Sequence, residues 1–170
     1  SAAALVQKTL PPHTLSAASF TIPTGDLPPL TDLTQKLIHA GYQRCTQVEG
    51  SGQFSVRGGI LDVFAPCTQS PVRIEYWGDE IDSMARFDVG SQRRGEQIDT
   101  LVCLPCMETL PSCAYGGISG LCKALEQAVR AKRKKHPDLV RNVERDAERL
   151  TETQTLPSAD KYLPLIYPDA

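Results

Sequence analysis

The sequence predicts an α+β fold, an antiparallel sheet with a helix on one face, followed by a small, mainly helical subdomain. Three observations carry this. Alternating apolar and polar residues between glycine and proline turns fill residues 42–104; one stripe at helical spacing precedes them; two more follow.

Taken in order, residues 1–18 are a Pro-containing, Ser/Ala-rich lead with little periodicity, expected to be the trailing edge of a preceding unit plus a linker. Phe20 to Ile22 reads as a short strand, broken at Pro23-Thr24-Gly25 and Pro28-Pro29. Leu30, Leu33, Leu37 and Ile38 recur at helical spacing and Gly41 supplies the stop, giving a helix of about three turns. Strands are then expected at Tyr42 to Val48, Gln53 to Arg57, Ile60 to Phe64, Val72 to Trp77, Ile81 to Phe87 and Ile98 to Leu104. Gly78-Asp79 reads as a hairpin turn, and Gly58-Gly59 as a bulge or sharp bend. Beyond residue 105 the period becomes helical. Ile118, Leu121, Leu125 and Ala128 form one stripe; Leu139, Val143 and Leu150 form another, with Pro137 suited to a first helical turn.

With 170 residues, 41% of them hydrophobic and 22% charged, the chain has the composition of one ordinary globular core or two small ones. A formal charge of −2 provides no global attraction to nucleic acid, so such a contact would have to be local. No apolar run reaches the roughly 20 residues of a membrane span, and Ala2 to Val6 is too short for a signal-peptide core. A cytoplasmic location is expected. Six scattered cysteines in a chain with enough apolar residues for a core point to reduced thiols. The absence of a starting methionine suggests a piece of a larger protein.

The segment from Phe54 to Arg94 carries the functional signal. By strand alternation Phe54 and Val56 face inward while Ser55 and Arg57 face outward. Val72, Ile74 and Tyr76 form the next apolar row, leaving Arg73, Glu75 and Trp77 on the opposite side. An aromatic among charges on a solvated face marks a protein contact, because Trp and Arg supply a large share of interface energy. The bland alternative is that the arginines pair with Glu75, Asp62 or Asp79 and the indole covers the sheet.

The runs VRGGILDVF, RIEYWGDEID and FDVGSQR resemble the UvrB-homology module of the transcription-repair coupling factors (Mfd), and LPSADKYLPLIYP, residues 156–168, resembles them again in the same order. Gly58-Gly59 and Ser91-Gln92-Arg93 favour the coupling factor over the excision-repair helicase UvrB itself. The resemblance implies that residues 19–105 are the UvrA-binding domain 2, that residues 1–18 trail from domain 1A, and that residues 106–170 are part of a mainly helical domain 1B. It also implies that Arg57, Arg73, Trp77 and Glu75 form the surface for UvrA, with Trp77 standing where many relatives carry Phe. RNA polymerase and DNA would be reached only through other domains of the parent, and the fragment itself would be a monomer without cofactor or motor. UvrB's own module remains the alternative within the same biology.

Other motifs are weaker. Cys103-Leu104-Pro105-Cys106 has metal or redox spacing, but a tetrahedral zinc site needs four ligands and a thioredoxin-like site needs a helix starting at the first cysteine. The run Arg130 to His136 is densely basic; it suits a helix C-terminus facing Glu144, Asp146 and Glu148, and as an alternative function it could contact DNA phosphates. No phosphate-cradling P-loop and no nucleophile elbow occur, so no catalytic residue is assigned. Asp62 is expected to be a buried structural carboxylate rather than a general base.

Overall fold

The computed structural model describes residues 9–25 and 29–168. The chain divides into two compact units, one of Leu15–Met107 and one drawn from residues 1–14 and 108–170. The expectations for residues 1–8 and for Pro28 lie outside the described residues. The rest of the lead contains a helix that its sequence does not signal. Pro12–Ala18 forms a helix, α1, closed where the Ser19 N–H and hydroxyl both donate to the Leu15 carbonyl, at 3.1 and 2.6 Å. Seven residues without an apolar stripe leave no period to detect in the sequence.

In the first unit, β1 (Phe20–Pro23) is followed by α2 (Leu30–His39). Leu33 and Leu37, one turn apart, are its buried positions. The helix ends as Gly41 foretells: Gly41 adopts φ 85°, its N–H donates to Ile38 at 3.0 Å, and the Tyr42 N–H reaches back to Leu37 at 3.0 Å. That is a Schellman closure, which satisfies carbonyls a helix end would leave bare.

The main sheet has six strands in sequence order: β2 (Gln43–Arg44), β3 (Gln53–Arg57), β4 (Ile60–Val63), β5 (Val72–Trp77), β6 (Glu80–Phe87) and β7 (Arg94–Gln97). Every pairing is antiparallel except β2 with β3, which is parallel. The strand expected over Tyr42 to Val48 shrinks to two residues. Side chains take the backbone groups a ladder would need: Gln53 Oε1 accepts from the Glu49 and Gly50 N–H groups at 2.8 and 3.0 Å, and the Ser55 hydroxyl donates to the Thr46 carbonyl at 2.8 Å. The same crossing chain buries Ser55, which alternation alone assigns to the outside.

The last expected strand also changes place. β8 (Thr100–Cys103) leaves the main sheet and pairs antiparallel with β1, Phe20 opposite Cys103. The sixth strand is β7, whose four residues are all exposed and so carry no alternation. Gly58-Gly59 is a two-residue turn between β3 and β4, with Gly58 at φ 60° and Gly59 lying so close to β5 that a Cβ there would sit 3.2 Å from the Tyr76 carbonyl oxygen. Gly78-Asp79 is the expected hairpin turn, with Gly78 at φ 65°. The Gly58-Gly59 turn is the sharp bend expected there; a bulge falls in β6, where the register passes from Glu75–Ser83 to Tyr76–Ile81 and skips Asp82.

One face of the sheet is the core. Phe54, Leu61, Val63, Val72, Ile74 and Met84 pack with Leu33 and Leu37 of α2 and with Tyr42. Val56 and Tyr76, expected in the same rows, are only half-buried against it.

In the second unit α3 (Gly117–Arg130) and α4 (Pro137–Thr153) pack through Leu121, Leu125 and Val129 on one side and Val140, Val143 and Leu150 on the other. The expected stripes are each off by one position at one end: Ala128 and Leu139 are exposed, and Val129 and Val140 are buried in their stead. Pro137 opens α4 as expected. The segment after α4, through the short helix α5 (Leu163–Ile166), adds Leu156, Ala159, Ile166 and Tyr167 to this core. The Leu110 N–H donates to the Tyr167 hydroxyl at 2.9 Å.

A candidate protein-docking face

The face of the sheet opposite α2 is polar, and its chemistry is set by register. Asp62 in the middle of β4 lies between Ser55 of β3 and Arg73 of β5. Arg57, two residues beyond Ser55 on the same side, reaches it diagonally. The Asp62 side chain is 2% exposed and receives both guanidinium groups. Arg73 binds in bidentate fashion, Nε to Oδ1 at 2.7 Å and Nη2 to Oδ2 at 2.9 Å. Arg57 donates through Nη2 to Oδ2 at 2.7 Å.

The arginines are therefore unequal. The Arg73 side chain is 15% exposed and Arg57 46%. Arg73 also lies over the Phe87 ring at 4.6 Å and donates to Gln92 Oε1 at 3.2 Å. Burial works against its charge, but the Asp62 hydrogen bonds outweigh it and raise its pKa still further. Gln92 reaches that point because the loop before β7 is folded by its own side chains. Asp88 accepts from both the N–H and the hydroxyl of Ser91 at 2.7 Å, which lowers its carboxyl pKa, and Gln92 sits at φ 58° with its amide donating to Val89. The Ser91-Gln92-Arg93 motif thus has a local role as the clamp on Arg73.

Glu75 has a different partner from those the sequence suggests. Arg94 of β7 donates through Nη1 to Glu75 at 2.7 Å and through Nη2 to the Ser83 hydroxyl at 2.7 Å, while Ser83 donates to Glu75 at 2.9 Å. Ser83, Phe87, Gln92 and Arg94 are the members of this face that strand alternation misses: the bulge at Asp82 takes Ser83 and Phe87 of β6 off the side of Ile81, and β7 and its loop have no periodicity to read. Trp77 ends β5 beside the hairpin turn and is 84% exposed. The structure thus joins Arg57 to Arg73 through Asp62, ties Glu75 to Arg94, and leaves the indole bare.

The other candidates are built from different residues. Cys103 is buried and Cys106 half-buried, and burial pushes both thiols up to about 12. No group of three or more His, Cys, Asp or Glu side chains among the described residues could hold a metal, and no described helix is long and apolar enough to cross a membrane. The basic run forms the exposed end of α3 and the turn after it, with Arg133 donating to Glu144 at 2.6 Å. Asp146, expected to face that run, is bonded instead by Lys161 and Tyr162.

The family model of the UvrB interaction domain matches residues 20–108. Among curated relatives, the transcription-repair-coupling factor of Mycobacterium tuberculosis is 45% identical over 95 residues, covering 55% of this chain and 8% of that protein. The coupling factor of Bacillus subtilis is 33% identical over 172 aligned residues, 96% of this chain and 14% of that protein. That of Escherichia coli is 34% identical over 104 residues, 61% of this chain and 9% of that protein. The chain spans less than a sixth of the length of each of these relatives. With the matched span carrying the whole polar face, the chain belongs to the UvrB interaction domain family, as the UvrB-homology module of a transcription-repair-coupling factor.

Proposed function

We infer that this module binds UvrA through the polar face of its sheet, and that as part of a cytoplasmic coupling factor it recruits nucleotide excision repair to RNA polymerase stalled on damaged DNA. The observation that carries this is an indole left 84% exposed on a sheet that also displays the Arg57 guanidinium. An indole left in water gains free energy on entering an apolar socket, and an arginine keeps donors for a second carboxylate. Arg57 and Trp77 are the contacts of this surface; Arg73 and Glu75 support it from within their ion pairs. The partner surface that fits is an apolar socket rimmed by carboxylates. Residues 106–170 serve as part of domain 1B, and contacts with polymerase and DNA belong to other parts of the parent protein.

Calorimetric titration of the chain against purified UvrA tests this. Arg57→Ala and Trp77→Ala should each weaken binding by about 1–3 kcal/mol with the thermal melt retained. Unchanged affinity in both would remove this face from the site. Salt-sensitive binding to duplex DNA that disappears when Lys132, Lys134 and Lys135 are neutralised, with no UvrA binding, would instead favour the basic run.

A further inference from the structure

Asp62 lies beneath the docking face with two cations on one anion, an arrangement that strand pairing does not require. Its backbone already fills its place in β4 between β3 and β5. Its side chain is all but removed from water, and a buried carboxylate persists only when its charge is met. Arg73 alone meets that need, since it occupies both carboxylate oxygens and is buried in turn by Phe87 and Gln92. Arg57 adds a third hydrogen bond to an oxygen that is already bonded, and contributes the surplus charge. One hydrogen bond on Asp62 leaves the rest of its five N–H donors for another acceptor.

We propose that Asp62 is a positioning residue for docking: its buried carboxylate holds the Arg57 guanidinium in the orientation that meets the partner's carboxylate, and Arg73 is the internal counter-ion that makes this possible. A long, flexible arginine loses rotamer freedom when it docks, and fixing it in advance lowers that cost. The surface therefore presents an ordered cation, and Arg73 contributes through Asp62 rather than by direct contact.

This role rests on the UvrA docking inferred above, and two arms keep the two ideas apart. In the first, the Arg57 guanidinium of the free chain is followed by NMR. Restricted rotation should give separated Nη signals in the native chain, averaged to one in Asp62→Asn; identical spectra would overturn the positioning role whatever UvrA does. In the second, UvrA affinity is measured in a double-mutant cycle. Asp62→Asn should weaken binding about tenfold in the native background and no more than about twofold in Arg57→Ala/Arg73→Ala. An equal loss in both backgrounds would mean that Asp62 supports only the fold, and overturns the proposal. If Asp62→Asn does not fold, Asp62→Asn/Arg73→Gln removes the carboxylate together with its counter-ion. Arg57→Ala must then cost less in that background than in the native chain, and an undiminished cost would reject the idea. Absence of UvrA binding by the native chain would defeat the docking reading, while the spectra still decide whether Asp62 orders Arg57.

Discussion

Asp62 ties Arg57 and Arg73 to one carboxylate, yet truncating the two arginines should have different effects. Arg73→Ala strips both oxygens of their main partner and leaves a buried charge held by one half-exposed arginine. Breaking a buried pair in this way costs about 3–5 kcal/mol, and the surviving Arg57 bond should keep the loss near the lower end. Arg57→Ala leaves the bidentate bridge intact and should cost about 1 kcal/mol. Urea melts of the two variants measure the difference, and equal losses would show that the arginines share the carboxylate evenly. A second residue-scale expectation concerns pH. Burial raises the Asp146 pKa, but hydrogen bonds from Lys161 and Tyr162 outweigh it and hold the carboxyl below its ordinary value of 3.8. The unfolded chain therefore takes up this proton first as the pH falls. The contribution is complete above about pH 5 and is lost as acid approaches the lower folded value. Tyr162→Phe should shift this acid limb upward in pH, and a limb that stays in place would exclude Asp146 as its source.

At the level of elements, legibility followed periodicity. α2, β3 to β6 and the turns at Gly58 and Gly78 could be read because apolar spacing and positive-φ glycines agree with the fold. α1 and β7 carry no signal because neither has a buried stripe, and β2 is shorter than its sequence suggests because the competing hydrogen bonds of Gln53 and Ser55 come from the next strand. The candidate face is half legible for the same reason. Alternation brings Arg73 and Glu75 to one side, but says nothing of Gln92 and Arg94, which arrive on an irregular loop and an exposed edge strand. In α4 the buried row is Val140, Val143, Ala147 and Leu150, while Leu139 is 42% exposed. Leu150→Ala should accordingly cost about 2–5 kcal/mol and Leu139→Ala less than about 0.5 kcal/mol. Chemical denaturation separates them, and comparable losses would mean that the helix is rotated from this placement.

For the whole molecule, two independent boundaries nearly coincide: the family match covers residues 20–108 and the first compact unit is Leu15–Met107. All members of the candidate face, from Arg57 to Arg94, fall inside both. That unit also has a closed core of its own, made by the sheet, α2 and the β1–β8 ribbon, so it meets the physical condition for folding alone. Residues 15–107, expressed separately, should melt cooperatively and bind UvrA within about twofold of the complete chain. The kinetics should follow from charge. A net charge of −2 over 170 residues provides no global attraction to accelerate encounter, so association should run near the unsteered 10⁵–10⁶ M⁻¹s⁻¹, and removing Arg57 or Trp77 should act mainly by speeding dissociation. Surface plasmon resonance with immobilised UvrA reads both rates. A variant that slows association while leaving dissociation unchanged would show that the face steers its partner rather than gripping it.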